Sequence, residues 1–302
     1  MISRRRFLRG LSRFGLGALA LSSYGIFVEP LLLGQRIRQY DLKLQRWPSG
    51  LGLSIAVIAD LHACDPWMDV PRIEQIVDQT NKLGADLIVL LGDYASTHRF
   101  ARRIDPADWA RPLGKLKAPL GVHAILGNHD WWDDRAVQAI RRGPPYGKAA
   151  LEHAGIPVYE NDVVRLTKDG RSFWLAGLGD QLAFWPMRRH YPGLRWGIDD
   201  LTATLAKVKA GEPVILLAHE PDILPRVPEH VSLVLSGHTH GGQVRLAGWS
   251  PIVPSIYGNR FAYGHVREQC DLIVSGGLGC SIAPVRLGVP PEIVLVKASA
   301  AA

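Results

Sequence analysis

Residues 214–240 read VILLAHEPDILPRVPEHVSLVLSGHTH, and this stretch decides the fold. It contains two short apolar runs, at 214–218 and 231–235. His219 follows the first run directly, and Ser236-Gly237-His238-Thr239-His240 follows the second. Short apolar runs bounded by turn residues are typical of buried strands. The stretch therefore predicts two buried strands, each ending in side chains of a type that binds metals.

Further apolar runs along the chain end in the same way. Residues 53–59, 86–91 and 122–126 are largely apolar, and polar side chains follow each of them. These end motifs are Asp60-Leu61-His62, Gly92-Asp93 and Gly127-Asn128-His129-Asp130. Because the carboxyl ends of strands in an open α/β sheet line one crevice, we expect these distant residues to meet there.

The rest of the chain indicates a mixed α/β fold. Residues 40–44 alternate apolar and polar side chains, which is the period of a half-buried strand. Residues 71–84 predict a helix that begins with a proline and ends with a glycine. Further strands are expected at 173–176, 272–274 and 292–296. Strands interleaved with helices place the chain in the α/β class.

The end motifs are short, and each one alone could occur by chance. Their order, with each motif after a predicted strand, resembles the calcineurin-like metallophosphoesterase superfamily, whose pattern is D-x-H, G-D, G-N-H-[DE], H and G-H-x-H. The resemblance extends over about residues 50–297. It implies a four-layer α/β/β/α sandwich with two mixed sheets, and a hydrolase that acts on phosphate esters or phosphoanhydrides.

The carboxyl-terminal part of the chain resembles one branch of the superfamily in particular. GHTHGGQV at residues 237–244, GGLGCSIAPVR at 276–286 and PPEI at 290–293 are similar to the exported bacterial branch of the superfamily. That branch includes the YkuE- and YaeI-like phosphodiesterases, and a related chlamydial enzyme hydrolyses UDP-2,3-diacylglucosamine. The resemblance thus implies a phosphodiesterase or phosphatase for a lipid-linked or cell-envelope phosphate, with a UDP-2,3-diacylglucosamine pyrophosphatase of lipid A synthesis as the alternative.

The resemblance also implies a ligand set for two divalent cations. Asp60, His62 and His240 would hold the first cation, and Asn128, His219 and His238 the second. Asp93 would bridge the two cations. Mixed imidazole and oxygen ligands suit manganese, the expected metal, or iron, zinc or magnesium, and disfavour calcium. The cations outweigh the two carboxylates and a bridging hydroxide, the expected nucleophile, so the site should attract an anion such as phosphate.

Two residues of the Gly127-Asn128-His129-Asp130 motif would act in catalysis according to the same resemblance. His129 would stabilise a phosphoryl oxygen in the transition state or protonate the leaving group. Asp130 would orient the His129 ring, as carboxylates behind metal sites commonly do. The alternative for Asp130 is a loop or helix-cap role.

The amino terminus predicts a targeting segment at residues 1–35, followed by a catalytic domain at 36–302. Ser3-Arg4-Arg5-Arg6-Phe7-Leu8-Arg9 resembles a twin-arginine export signal, which makes the twin-arginine export machinery an expected partner. The apolar stretch 14–28 is shorter than the ~20 residues that span a bilayer. A cleaved signal and an uncleaved membrane anchor are both consistent with it. We therefore expect a periplasmic or outward-facing membrane protein, with the cytoplasmic face of the inner membrane as the alternative.

Net charge argues against a nucleic-acid partner. The chain carries a formal charge of +7, and residues 1–35, with five Arg and one Glu, account for more than half of it. A nucleic-acid-binding domain would show clustered Lys and Arg on the folded part. A nuclease and a non-catalytic binding protein of the same fold are the competing interpretations. The sequence does not indicate an oligomeric state.

Two groups of residues beside the motifs have open interpretations. Trp131-Trp132 and the aromatic and arginine residues of 184–196 could form a lid, a headgroup site or a membrane-contacting patch, or simply pack on the domain. Among the cysteines, Cys270 and Cys280 could pair, although three unpaired thiols are the favoured interpretation, and Cys64 is not expected to bind metal.

Overall fold

The computed structural model describes three long parts of the chain, residues 34–95, 101–184 and 196–301, and short pieces between residues 12 and 29. Most of the predicted targeting segment, and residues 185–195 of the aromatic and arginine segment, lie outside the described residues. Within the described residues, every helix is too short or too polar to cross a bilayer.

The first of two large sheets has five strands. Its order is β1 (Arg36–Leu44), β13 (Glu292–Ala300), β2 (Leu53–Ile58), β4 (Leu87–Leu90) and β6 (Val122–Ala124). Strands β2, β4 and β6 are parallel, and β13 pairs antiparallel with β2. The carboxyl ends of β2, β4 and β6 therefore lie at one edge.

The second large sheet has six strands. Its order is β11 (Gly264–Arg267), β12 (Asp271–Val274), β10 (Val231–Ser236), β9 (Val214–Leu217), β8 (Arg171–Gly177) and β7 (Asp162–Lys168). The four inner strands are parallel, and the two edge strands pair antiparallel with them. A small ladder joins β3 (Cys64–Asp65) to β5 (Arg102–Arg103).

Helices cover the outer faces of the sheets. The α-helices span Val70–Lys82, Pro106–Leu113, Asn128–Trp132, Arg135–Ile140, Tyr146–His153 and Leu201–Ala206, and 3-10 helices span Pro221–Arg226, His240–Gly242 and Gly258–Phe261. The predicted helix at 71–84 is confirmed with slightly different bounds. Asp69 caps this helix, because its carboxylate accepts a 3.0 Å hydrogen bond from the Arg72 amide.

The packing of the core explains the layered architecture. Ile55 and Val57 on β2 pack between the sheets against residues such as Leu217, whereas Ile58 on the opposite face packs with Ile73 of a covering helix. On the far side of the second sheet, inner-strand residues pack with Leu201 and with the 3-10 helix Pro221–Arg226. The predicted four-layer α/β/β/α sandwich with two mixed sheets is confirmed.

The two sheets meet at the edge where their parallel strands end. The Leu278 amide, which follows β12 in the second sheet, donates to the Ala59 carbonyl at the end of β2, over 3.1 Å. The Gly237 amide donates to the His219 carbonyl over 3.0 Å. Each predicted end motif therefore lies at this shared edge.

The three cysteines are buried. All three belong to the described part of the chain, and none forms a disulfide. The favoured prediction of three cysteines without a disulfide is confirmed. Cys64 belongs to none of the side-chain groups that could hold a metal among the described residues.

Candidate metal centre

The structure brings all the predicted ligands together at the shared edge. Potential ligand atoms of Asp60, His62, Asp93 and His240 lie within 4.8 Å of one another. Those of Asp93, His219 and His238 form a second such group. Asn128 joins the second group, because its Oδ1 lies 2.9 Å from His238 Nδ1. Asp93 is the member common to both groups, which is the position predicted for a bridging carboxylate.

The distances show how closely Asp93 is shared. Its Oδ2 lies 3.5 Å from His62 Nε2 and 3.3 Å from His219 Nε2. The Nε2 atoms of His62 and His240 are themselves 3.0 Å apart, and Asp60 Oδ1 lies 3.7 Å from His240 Nε2. Imidazole nitrogens and carboxylate oxygens thus converge from both sheets on one buried volume.

Backbone contacts set the direction of the imidazoles. His62 Nδ1 lies 3.2 Å from the Ala95 carbonyl, and His219 Nδ1 lies 2.6 Å from the Leu91 carbonyl. A carbonyl only accepts, so each Nδ1 carries a proton, and each Nε2 faces the Asp93 carboxylate. This orientation is the one that a ring needs to bind a metal through Nε2.

Unsatisfied polar atoms show that the site suits a cation. Asp60 Oδ2 and His219 Nε2 are buried and make no hydrogen bond to any described residue. Burying such atoms without a partner costs about 1–3 kcal/mol each. A cation among these oxygen and imidazole donors would satisfy them, and the donor set fits a transition-metal ion.

The electrostatics of the site support the same conclusion. Burial alone would lower the pKa of His219, but the nearby Asp93 carboxylate raises it well above its ordinary value. Burial would raise the pKa of Asp93, yet His219, followed by other imidazoles, holds it well below its ordinary value. Burial raises the pKa of Asp60 to about 7. The centre therefore favours added positive charge.

The other imidazoles are in the protonation state that binds metals. Burial lowers the pKa of His62 to about 3, and it lowers the pKa of His238 and of His240 as well. At neutral pH these rings are uncharged and offer a lone pair.

Several of the predicted ligands have a strained backbone. A φ between +20° and +160° is unfavourable for residues other than glycine. Five predicted ligands adopt it, with φ values of 52° for Asp60, 47° for His62, 57° for Asp93, 68° for His238 and 51° for His240. Such strain concentrates at functional sites, because only a sharp turn at each strand end lets the side chains converge.

Glycines allow the close approach of these turns. A Cβ on Gly127 would lie 2.4 Å from Asp93 Oδ1, and a Cβ on Gly237 would lie 2.6 Å from Asp60 Oδ2. Neither position could carry a side chain without moving a predicted ligand. The glycines of the G-N-H-D and G-H-T-H motifs are therefore needed because only a residue without a side chain fits beside these carboxylates.

His129 lies at the side of the centre. Its backbone amide donates to Asp93 Oδ1 over 2.8 Å, and its ring meets the His62 ring edge-on at 4.8 Å between centroids. Its Nε2 lies 3.1 Å from the Ser281 hydroxyl. The ring of Trp132 lies 5.1 Å from it. The His129 ring is therefore placed to contact a group bound at the ligand cluster.

Asp130 binds backbone amides. Its Oδ2 accepts hydrogen bonds from the amides of Gly127 and Asp93, both at 2.9 Å. Its Oδ1 accepts from Tyr94 at 2.8 Å and from Ala95 at 3.3 Å. These bonds correspond to the loop-capping alternative for Asp130 and fix the loop that carries Asp93.

Sequence reasoning gave no role to Arg286, which is fully buried beside the centre. Its guanidinium donates to the carbonyls of Gly276 and Val289 over 2.9 Å and to Gly279, and it lies 3.2 Å from His240 Nδ1. It holds the 276–289 segment against the His240 loop. An arginine in a glycine-rich stretch was the available signal, but sequence alone does not show burial.

A pair of buried acids, Asp180 and Glu220, was also missed. With His219, they form a third group of side chains that could hold a metal. Burial, and next the charge of Glu220, raise the pKa of Asp180 well above its ordinary value. Each acid lies within four residues after a predicted strand, which was the signal that could have identified them.

The aromatic residues for which a lid, a headgroup site, a membrane-contacting patch or simple packing was considered differ in their surroundings. Trp131 is buried, and its ring lies 5.8 Å from that of Phe184, so it packs in the core. The Trp132 indole donates to the Leu182 carbonyl over 2.8 Å and faces His129. Trp196 is exposed.

Comparison with known proteins agrees with this geometry. Residues 53–242 match the family model described as calcineurin-like phosphoesterase, and this range includes every predicted metal ligand. The chain is 30% identical over 303 residues to the metallophosphoesterase YkuE of Bacillus subtilis, covering 97% of this chain and 96% of that protein. It is 28% identical over 266 residues to a metallophosphoesterase of Aquifex aeolicus, covering 86% and 90%. A Danio rerio transmembrane protein with a metallophosphoesterase domain is 30% identical over 267 residues, covering 85% of this chain and 56% of that protein.

Proposed function

Because the chain belongs to the calcineurin-like phosphoesterase family, we propose that it is a two-metal phosphoesterase that hydrolyses P–O bonds. Asp60, His62 and His240 would hold one cation, and Asn128, His219 and His238 the other. Asp93 would bridge them. The observation that carries this proposal is the position of Asp93 Oδ2, within 3.5 Å of an imidazole nitrogen of each ligand group.

The protein's own groups would have distinct tasks. Bound divalent cations supply Lewis acidity toward water and a phosphate ester. The imidazole ring of His129 would donate a hydrogen bond to a phosphoryl oxygen or pass a proton to the leaving group, and its place beside the ligand cluster supports this role. Asp130 would keep Asp93 in position through the loop amides that it binds.

We further propose manganese as the metal and a lipid-linked or cell-envelope phosphate as the substrate. Residues 1–35 would serve as a twin-arginine signal or anchor that places the catalytic domain, residues 36–302, on the outer side of the membrane. The Arg cluster and the apolar stretch 14–28 support this location. A reporter enzyme that is active only after export, fused to residues 1–35, would test it: replacing Arg4 and Arg5 with lysine should abolish reporter activity.

The catalytic proposal is tested with purified full-length protein. After a chelator has removed metal, we expect added Mn²⁺ to restore hydrolysis of bis-(p-nitrophenyl) phosphate or p-nitrophenyl phosphate. Asp93→Ala and His129→Ala should each lose at least about 10²-fold in kcat, which is the usual scale for removing one positioned catalytic group. His153→Ala, on the surface, is the matched control and should retain activity.

The result also separates the competing interpretations. Two bound metals without hydrolysis of these esters or of lipid-linked phosphates would indicate a binding protein. Salt-dependent DNA binding with DNA cleavage would indicate a nuclease. Cleavage of UDP-2,3-diacylglucosamine would select the pyrophosphatase alternative.

A further inference from the structure

Large apolar side chains project into solvent from the loops around the metal centre. Leu246, Trp249, Ile252, Ile256 and Ile282 are between 56% and 85% exposed, and we name this set the apolar rim. Residues of these types are ordinarily buried, and a group of them on one part of a surface marks an interaction site.

Hydrogen bonds attach Ile282 to the centre. The adjacent residue, Ser281, contacts His129 through its hydroxyl, and its amide donates to Gln243 Oε1 over 2.6 Å. Gln243 Nε2 in turn donates to the Ala283 carbonyl over 3.1 Å. Gln243 lies three residues after the predicted ligand His240, so the Ile282 loop and the His240 loop form one unit.

The other rim residues are held to the same unit. Leu246 and Trp249 form a tight turn with backbone bonds of 2.9 and 3.0 Å. The hydroxyl of Ser250, the next residue, donates to the Gly241 carbonyl over 2.6 Å. The Ile256 amide donates over 2.9 Å to Asp222, which lies three residues after His219. Each rim side chain is therefore carried by a segment bonded to a strand-end loop of the site.

The apolar amino-terminal segment meets these loops as well. The Arg286 amide donates to the Gly25 carbonyl over 2.8 Å, and the Gly288 amide donates to the Glu29 carboxylate over 3.1 Å. Leu287, between them, exchanges backbone bonds with Gln243 and Arg245, which lead into the rim turn. Gly25 and Glu29 therefore contact the stretch that is bonded to the rim turn.

We propose that the apolar rim inserts into the interfacial layer of an anionic phospholipid bilayer. The rim side chains lie in residues 246–256 and at Ile282, and they include a tryptophan of the kind enriched at membrane interfaces. Gly25 and Glu29, which contact the neighbouring stretch, belong to an amino-terminal segment whose sequence is apolar and carries five arginines. A membrane occupant explains all three features, whereas a protein partner leaves the charged apolar segment unexplained. The consequence, that the metal centre faces lipid-borne phosphate, rests on the proposed phosphoesterase function.

The test measures insertion without using activity. Full-length protein carrying Ile252→Cys or Trp249→Cys is labelled with the environment-sensitive fluorophore NBD, since the native cysteines are buried. Lys209→Cys is the control, because Lys209 is exposed in the turn before β9, at the opposite end of that strand from the site. With vesicles of phosphatidylethanolamine and phosphatidylglycerol at about 7:3, we expect at least a twofold rise and a blue shift of NBD emission at 252 and 249, and no change at 209.

Two outcomes would overturn the proposal, and a third separates it from the proposed function. Vesicle binding with unchanged emission at both rim positions would mean that the amino-terminal segment alone contacts lipid. A change that depends on protein concentration without vesicles would assign the rim to a contact between two copies. If NBD reports insertion but neither bis-(p-nitrophenyl) phosphate nor a lipid-linked phosphate is hydrolysed, the membrane proposal stands and the proposed function fails.

Discussion

Replacing Asp130 with asparagine is expected to weaken the fold and the metal centre together. The Asp130 carboxylate accepts four backbone hydrogen bonds, two at each oxygen. An amide keeps one oxygen, so two buried N–H groups would lose their acceptor and face another donor. The loop that carries Asp93 is the part of the structure that these bonds hold.

The size of the effect follows from these contacts. Each unsatisfied buried donor costs about 1–3 kcal/mol, so two cost about 2–6 kcal/mol. Burial, and next the charge of Asp93, raise the pKa of Asp130 to about 7, and a neutral amide removes that repulsion. We therefore expect a loss of about 2–3 kcal/mol in the free energy of unfolding. Displacement of Asp93 by about 1 Å would lower kcat about 10²-fold.

The assay compares two variants of the same kind. Asp134→Asn is the matched control, because Asp134 is also buried and its carboxylate accepts from the amides of Ala136, Val137 and Tyr146. Urea unfolding of the metal-free proteins should show a loss of stability for both variants, smaller for Asp134→Asn, because an amide that keeps the oxygen facing Ala136 and Val137 leaves only the Tyr146 amide without an acceptor. Hydrolysis of bis-(p-nitrophenyl) phosphate should fall only for Asp130→Asn. A folded Asp130→Asn protein with kcat within about twofold of wild type would refute the reasoning.

Three further changes test separate features. Gly127→Ala should abolish metal-dependent hydrolysis, because the alanine Cβ would lie 2.4 Å from Oδ1 of Asp93, the predicted bridging ligand. Gly52→Ala is the control and should retain activity, because a Cβ on Gly52 would have no atom within 4 Å. His62→Gly should leave the metal-free protein about 1 kcal/mol more stable to urea than His62→Ala, because the left-handed backbone at φ 47° suits glycine. Burial would raise the pKa of Asp86, but hydrogen bonds from Lys168 and then Ser54 hold it below its ordinary value. The stabilisation by this carboxylate is therefore present above about pH 4 and is lost as the pH falls through the lowered pKa. In urea unfolding, Asp86→Asn should lower the free energy of unfolding by about 1 kcal/mol at pH 7 and by less at pH 3.

The inner strands and the ligand motifs could be predicted because one feature of the sequence specifies both. A strand buried on both faces is an almost continuous apolar run, as Leu87–Leu90 and Val214–Leu217 are, and a polar side chain directly after such a run marks the strand's end. The edge strand Asp162–Lys168 gave no such signal, because its outer side is solvated and charged residues interrupt its apolar positions.

Other parts of the site depend on tertiary contacts that no local pattern records. Arg286 has the charge of a typical surface residue, and its role appears only in the folded structure, where the carbonyl groups of Gly276, Gly279 and Val289 accept hydrogen bonds from its guanidinium. The short helices Asn128–Trp132 and Arg135–Ile140 are held by caps and packing, since segments of this length are unstable alone. The hydrogen bonds of Asp130 to two separate loops are also tertiary contacts that no local pattern records.

The strained ligands explain why the centre lies where the two sheets meet. Each left-handed residue costs on the order of 1 kcal/mol, so the ligand cluster lowers the stability of the metal-free protein. Only a rigid base can hold such turns, and the apolar layer between the sheets reaches Ala59 and Leu91, which directly precede two of the ligand motifs. A bound cation would satisfy the buried ligand atoms and would stabilise the folded form by an amount that rises with its affinity and concentration. The strained strand-end turns therefore lower the stability of the metal-free protein, and the free energy of metal binding would offset this loss. Metal removal should destabilise this edge of the sandwich first.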